Sequence, residues 1–420
     1  MNLKTKNRVL GTYTQSTAKK PFVLPLLEDI KSNEKVDKES KRFRNIQLTI
    51  FLSGLSVFAQ LYLFQPLLLT LANEFGISAG DSSWLVSSST LGMALGLLYF
   101  AFKSDSFSRK KQMLFAMVSS SILTIASVWI YNFPLLILIG IIKGFVIAGV
   151  SSVALPYLTE EVKLSALGLA ISMYLNGNTI GGMSGRIVTT VLYGEIGWRN
   201  TIMIIGIISM ILSVVFWRYF PQSRFFQPQK TDFTLKYREM KSFVFDSYML
   251  RLYIIGFLIM GTFVSIYNYL TYNLEAPPFS LSHIFIAFIF MIYTFGLLGT
   301  TIIGRLSERF ETRTLLISSL LLMIIGIILL LSGSLMFVIV GLIIVTLAFF
   351  ASHTMASRMV VLHAKTGKSS ATSLYWLFYY LGSAVMGSGT GYLLHATSWS
   401  VFVWLLAGAV FVTLLLSYKS

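Results

Sequence analysis

Cysteine is absent from the 420 residues, which excludes disulfides, thiolate-held zinc, iron–sulfur clusters and thiol catalysis. Charge is scarce too: 12% of the residues are charged, against roughly 25% in an average soluble chain. The four histidines, His283, His353, His363 and His395, are scattered without metal-ligand spacing, so no metal or cofactor is expected. Gly367-Lys368-Ser369 lacks the upstream glycine of a phosphate loop, and Gly387-Ser388-Gly389-Thr390-Gly391 lies in an apolar run, so ATP hydrolysis is not expected. Nothing resembles an acid–base or metal constellation, which argues against an enzyme. The polar start, Met1 to Arg8, is followed by no short apolar core, and a cleavable signal peptide is not expected.

Carboxylates are also missing from the interiors of the apolar runs; Glu74, Asp81, Glu160, Glu161 and Glu275 all fall near their ends. A buried acid is a common proton carrier in membranes, so proton coupling does not follow from these residues alone. The charge that exists leans one way, with 33 Lys and Arg against 17 Asp and Glu and a formal net charge of +16. These cations sit in short connections between apolar runs. That pattern orients a protein in a bilayer and argues against a nucleic-acid partner.

What remains is apolar: 55% of the residues are hydrophobic. Runs of about 20 residues, each enough for ~30 Å of hydrocarbon, recur along the chain. They are placed at Ile46–Leu71, Trp84–Phe102, Met113–Tyr131, Pro134–Leu158, Ala166–Tyr193, Thr201–Phe220, Leu252–Asn273, Ile284–Ile303, Leu315–Leu331, Leu335–Val361, Ser370–Leu394 and Val401–Ser417. The expected fold is an all-α polytopic membrane protein of twelve transmembrane helices. Alternate connections carry the Lys and Arg residues, from Lys103 and Arg109–Lys111 through Lys163, Arg218–Lys241 (Lys230 among them), Arg305–Arg313 and Lys365–Lys368 to Lys419; Arg199 alone breaks the series. The positive-inside rule then puts both termini in the cytoplasm.

The long polar connection after Pro221 divides the chain into six spans plus six. Residues 1–45 read as a disordered cytoplasmic tail that could touch anionic lipid, 46–220 as one helix bundle, 221–247 as a cytoplasmic loop and 248–420 as a second bundle. The bundles echo each other. Tyr174-Leu175-Asn176-Gly177 with Gly182 matches Tyr379-Tyr380-Leu381-Gly382 with Gly387, and Trp198 matches Trp399. Such echoes fit the pseudo-symmetric halves of a secondary transporter.

Two loops sharpen this reading. Ala101-Phe102-Lys103-Ser104-Asp105-Ser106-Phe107-Ser108-Arg109-Lys110 and Gly304-Arg305-Leu306-Ser307-Glu308-Arg309-Phe310-Glu311-Thr312-Arg313 occupy equivalent places. Both resemble the G-x-L-[AS]-D-R-x-G-R-[KR] loop of the major facilitator superfamily (MFS). The first has Ala101, Ser106 and Ser108 in place of consensus residues. Asn176 to Arg186, with Tyr157-Leu158-Thr159-Glu160-Glu161, Ala351-Ser352-His353 and Ser373-Leu374-Tyr375, is similar to the YnfM-type bacterial branch of efflux-like permeases. The resemblance covers Ile46 onward. It implies the two-bundle MFS fold, a monomer in the bacterial-type plasma (inner) membrane, and alternating-access transport of a small-molecule substrate, with proton-coupled efflux as the expected activity. Uptake or exchange of an organic anion, or a non-transporting sensor on the same fold, are the alternatives.

Candidate site residues follow from charge and spacing. Asp105, Arg109, Lys110, Glu308, Arg309 and Arg313 could latch helix ends in one conformational state or simply anchor them. Lys143 lies deep in the fourth span and should face a polar cavity or bond to helix carbonyls. Efflux relatives carry R-x-x-[QD]-G in this span; here Gly140 stands at the Arg position and Lys143 before Gly144. Gly177, Gly181 and Gly185 recur every four residues as a packing face that Gly182 extends, and the proline of the antiporter motif is absent there. Arg186 could snorkel or bind cargo. Asn176 and Asn178 could donate to cargo or join helices. Ser265, Asn268, Tyr269 and Tyr272 share one face of the seventh span, and Tyr375, Trp376, Tyr379 and Ser383 one face of the eleventh; either set could line a cavity or pack between helices. His353 could titrate or simply pack.

Overall fold

The computed structural model describes residues 35–228 and 233–418, except for the Asp105 side chain. The tail before residue 35, Lys230 and Lys419 therefore lie outside the described residues. Among those residues the secondary structure is helical apart from one bridge between Val36 and Val162. Among the described residues, ten helical stretches are long and apolar enough to cross a membrane. One of them, Leu164–Tyr219, runs for 56 residues and turns at Gly197, whose φ of 76° only glycine adopts freely, so it holds the fifth and sixth spans. Lys368–Ala396 has the length of a span at 29 residues but is more polar, and it supplies the eleventh.

The first span departs from the uninterrupted run expected at Ile46–Leu71. Its helix Lys41–Tyr62 stops, a 3-10 turn occupies Gln65–Leu67, and a second helix covers Leu68–Phe75. Pro66 explains the interruption, because proline has no amide hydrogen to continue the ladder and its ring displaces the preceding turn. The eighth span is broken as well, into His283–Ile289 and Thr294–Leu306 around a 3-10 turn at Phe290–Tyr293. The remaining spans are single helices: Phe133–Glu161 is the fourth, Ser247–Glu275 the seventh and Leu335–His363 the tenth.

Glycine sets how closely the helices approach. A Cβ on Gly177, Gly181 or Gly185 would run into the backbone of Phe51, Leu55 or Ala59 in the first span. In the second bundle Gly382 meets Phe257 of the seventh span in the same way, and in the first bundle Gly144 meets Ser89 of the second span. Gly387 abuts Asn268, Val264 and Ser87. Gly182 does not extend the smooth face as expected. The nearest atom to a Cβ there would be Nη1 of Arg186, at 3.2 Å, because one residue further along a helix points about 100° away from the packed stripe.

Part of the presumed tail is also built into the bundle. The Val36 amide donates to the Glu161 carbonyl at 2.8 Å and the Lys163 amide to the Val36 carbonyl at 3.1 Å. Ser40 then caps the first helix, its hydroxyl accepting from the Phe43 amide at 3.1 Å. Burial of the Val36 side chain gives residues 35–45 a reason to order. The inter-bundle connection likewise contains a helix, Phe233–Phe245. It reaches both bundles, with Lys236 donating to the Ala101 carbonyl and Ser370 donating to Glu239 at 2.8 Å.

Candidate functional site

The break in the first span places three side chains against the two most deeply buried cations. Arg186 is 2% exposed and does not snorkel. Its Nε donates to Oε1 of Gln65 and its Nη1 to the Gly182 carbonyl at 2.6 Å. The guanidinium also lies over the rings of Tyr62 and Tyr293, 4.4 Å from each centroid. Lys143 is 1% exposed, with its ammonium 5.1 Å from the centre of the Phe64 ring. Among the described residues, neither cation has a carboxylate partner. Cation–π contact of this kind is worth about 2 kcal/mol or more when desolvated.

Gln65 carries the contact into the second bundle. Its amide nitrogen donates to Asn268 Oδ1 at 2.6 Å, and the Asn268 amide donates to the Gly387 carbonyl at 3.1 Å. Tyr269 donates to the same carbonyl at 2.7 Å. Asn268 and Tyr269 are thus buried connectors between the seventh and eleventh spans. Ser265 donates to the Met386 carbonyl at 3.0 Å, and Tyr272 pairs with Ser82 at 3.4 Å. Asn178 packs against Gly54 of the first span, whereas Asn176 is half-buried on the fifth.

Across the interface, the tenth and eleventh spans present a wall of rings. His353 Nδ1 is 2.9 Å from the Tyr375 hydroxyl, and its ring lies 5.1 Å from Trp376 and 4.7 Å from Tyr379. Phe349 continues the wall and stacks on Phe263 of the seventh span at 3.8 Å. Tyr293 joins it through Tyr267, 4.6 Å away. Tyr293 also lies 5.5 Å from Phe263, and Phe349, stacked on Phe263, is 6.4 Å from Tyr379, so a chain of rings joins the wall to the ring that covers Arg186. His353, Tyr375, Trp376 and Tyr379 are therefore brought together, and the buried Ser383 hydroxyl has no hydrogen-bond partner among the described residues.

The direct hydrogen bonds between the bundles, among the described residues, gather at the end remote from the basic loops. Ser388 donates to Ser87 at 2.7 Å, Tyr392 to Asp81 at 2.7 Å and Trp84 to Tyr392 at 3.2 Å. Tyr193 meets His283 at 2.6 Å. Each such bond contributes roughly 0.5–1.5 kcal/mol net, so together they are of the size that ligand binding can tip.

At the basic end, among the described residues, the hydrogen bonds stay within a bundle or run to the inter-bundle connection. Arg109 is buried and pairs with Glu160 at 2.7 Å while donating to the Ser104 carbonyl at 2.9 Å. Lys110 donates to the Phe220 carbonyl. Glu161 accepts from Arg42 at 3.0 Å, from Ser223 at 2.8 Å and from the amides of Arg224 and Phe225. The Asp105 side chain lies outside the described residues. In the second loop Arg313 donates to the Ser417 carbonyl at 3.1 Å, and Glu308 and Arg309 are exposed.

Sequence reasoning missed Tyr62, Phe64, Gln65 and Tyr293. Gln65-Pro66 was the available signal, since an amide followed by proline inside an apolar run marks both a break and a group needing a partner. Tyr293 carried no such mark.

The comparisons with known proteins agree with this architecture. The family model described as Major Facilitator Superfamily matches residues 50–296 and 252–419. The MFS-type transporter YybF of Bacillus subtilis is 34% identical over 88% of this chain and 90% of its own length. The inner membrane transport protein YnfM of Escherichia coli is 31% identical over 88% of each. Among solved structures, a bacterial homologue of the human lysosomal transporter Spinster, in an inward-facing and occupied conformation, superposes with a TM-score of 0.71 at 17% identity, covering 90% of this chain and 96% of that one. Two bundles joined by a basic-end connection, a family match along nearly the whole membrane-spanning region and relatives above 30% identity make this chain a member of the Major Facilitator Superfamily.

Proposed function

We propose that the protein is a monomeric carrier of a small organic solute, working by alternating access in a bacterial-type inner membrane with both termini in the cytoplasm. The observation that carries the reading is the position of the inter-bundle bonds. They gather at the end remote from the basic loops, around Ser87–Ser388 and Asp81–Tyr392. With the basic loops cytoplasmic, that end is the external gate, and this conformation opens inward. Rocking the bundles would part Gln65 from Asn268 and Arg186 from Tyr293. The same contacts then separate the two states.

Export driven by protons is the form of transport we favour, on the likeness to efflux-type relatives. Among the described residues no carboxylate faces the Arg186 cluster, which leaves Lys143 and His353 as titratable groups beside the cargo path. Uptake or exchange of an anion is the second reading, favoured by Lys143 and Arg186, which have no carboxylate partner among the described residues.

The absence of native cysteine allows a direct test. In Trp376→Cys, the introduced thiol is the only one on the chain. A membrane-impermeant maleimide should label it from either face of oriented proteoliposomes, at rates that change with an imposed pH gradient. Labelling from one face alone under every condition would reject alternating access and favour a static sensor.

A further inference from the structure

We propose that the cargo is an arylcarboxylate: an organic anion whose carboxylate docks on the free edge of Arg186 and whose ring lies on the wall formed by Tyr379, Trp376 and His353. The inference rests on the carrier reading and names the chemistry of its site.

A guanidinium has five N–H donors in one plane and no acceptor. In Arg186, Nε is taken by Gln65 and one Nη1 hydrogen by the Gly182 carbonyl. Nη2 has no acceptor among the described residues. The two rings at 4.4 Å are stacking contacts rather than hydrogen-bond partners, so an edge of the plane remains for an incoming acceptor. Two parallel N–H donors match a carboxylate in bidentate geometry.

Charge points the same way. Lys143 and Arg186 are both nearly inaccessible to water, and burying an ion without a counter-ion is expensive. The acids near the external end of the spans are already engaged: Glu74 with Arg199 at 3.1 Å, Glu275 with His283 at 3.1 Å and Asp81 with Tyr392. At the basic end Glu160 and Glu161 pair with Arg109 and Arg42. A cationic cargo would find no opposite charge at Arg186. An anion would find two of them within the first bundle.

Shape selects among anions. The side of the site contributed by the second bundle is flat and aromatic, with Tyr379 and Trp376 meeting edge to face at 5.0 Å and His353 against both. Such a surface favours a planar apolar body by stacking and burial. It offers little to a polyol, which needs many hydrogen bonds.

The experiment uses three probes with the same ring and different charge: benzoate, benzamide and benzylamine. Their binding to the purified full-length protein is measured by calorimetry, which needs no transport. Benzoate should bind at least roughly tenfold more tightly than benzamide, and benzylamine should not compete. Arg186→Lys, which keeps the charge and removes the fork, should weaken benzoate roughly tenfold. Tyr379→Leu should weaken benzoate and benzamide by the same factor, since it removes ring contact alone. If benzoate binds no better than the other two, or if Arg186→Lys binds it as wild type does while eluting as a folded species, the proposal is overturned. Neither result touches the maleimide test, so the cargo class and the carrier reading fail separately.

Discussion

The two bundles share a helix framework and differ in what they turn inward. The first fills its interior with small hydroxyls: Ser53, Ser56, Ser88, Ser89, Thr90, Ser120, Ser121 and Thr124 are all buried. Most of these bond back to a carbonyl one turn earlier in their own helix, so they cost little in the membrane and leave room for close helix contact. Into this bundle the chain places Lys143 and Arg186. The second bundle fills the equivalent space with rings, from Phe263 stacked on Phe349 to the Tyr375–Tyr380 series. One bundle supplies charge and hydrogen bonding, the other a shaped apolar surface. On the arylcarboxylate proposal, a solute held between them would be read twice, once for charge and once for form.

The comparison breaks most severely where the frameworks agree. Gly177→Leu and Gly382→Leu should each prevent recovery of folded protein from membranes. Either side chain would enter the backbone of the helix opposite, and overpacking typically costs about 1–3 kcal/mol or more. Monodisperse yield after solubilisation is the measurement; tolerance at Gly382 alone would mean that the second bundle is not held by the same close approach.

Joining the bundles at the ends remote from the basic loops should have the next largest effect. Ser87→Cys with Ser388→Cys puts two thiols where hydroxyls now sit 2.7 Å apart. Cross-linking should abolish labelling from the external face and leave labelling from the basic face intact. Unchanged external labelling would show that this contact is no gate.

A smaller change separates the two cations. Tyr293→Leu removes from Arg186 a ring supplied by the second bundle, and Phe64→Leu removes from Lys143 a ring supplied by the first. Each should lower stability by roughly 1–2 kcal/mol, read as a lower thermal midpoint. Only Tyr293→Leu should also alter the two-sided labelling, because only that contact crosses the interface.

The smallest effect belongs to the ordered end of the tail. Asp37 accepts from Lys163 at 3.0 Å, and this hydrogen bond holds its carboxyl below the usual value. A depressed folded value means that the contribution is present at neutral pH and lost as pH falls through it. The side chain is about half exposed and its partner is a surface lysine, so Asp37→Asn should leave the thermal midpoint unchanged within error at pH 7. A clear drop would mean that residues 35–45 brace the first bundle more firmly than an exposed pair can.

Much of the framework was legible in the sequence because it follows from the solvent. A bilayer requires satisfied backbone groups over a fixed thickness, so apolar runs translate into spans and glycines at four-residue spacing into close contacts. Lys143 stood out for the same reason: a lone cation in an apolar run has nowhere to hide. Arg186 was visible but ambiguous, because a cation near a span end can reach water or turn inward. The inward turn depends on Gln65, Tyr62 and Tyr293, which come from two other spans in two different bundles.

By itself, the order of residues determined how many apolar segments there are, where charge falls between them and which helices lack Cβ atoms at their contacts. These are local properties, set by solvation and by the geometry of one helix at a time. Tertiary structure alone decided that a proline break in the first span would face the two most deeply buried cations, Lys143 and Arg186. It also decided that a glutamine would link one cation to the other bundle, and that inter-bundle bonds would gather at one end. Those outcomes depend on how separate helices rotate and lean against one another, and no single stretch of sequence encodes that relation.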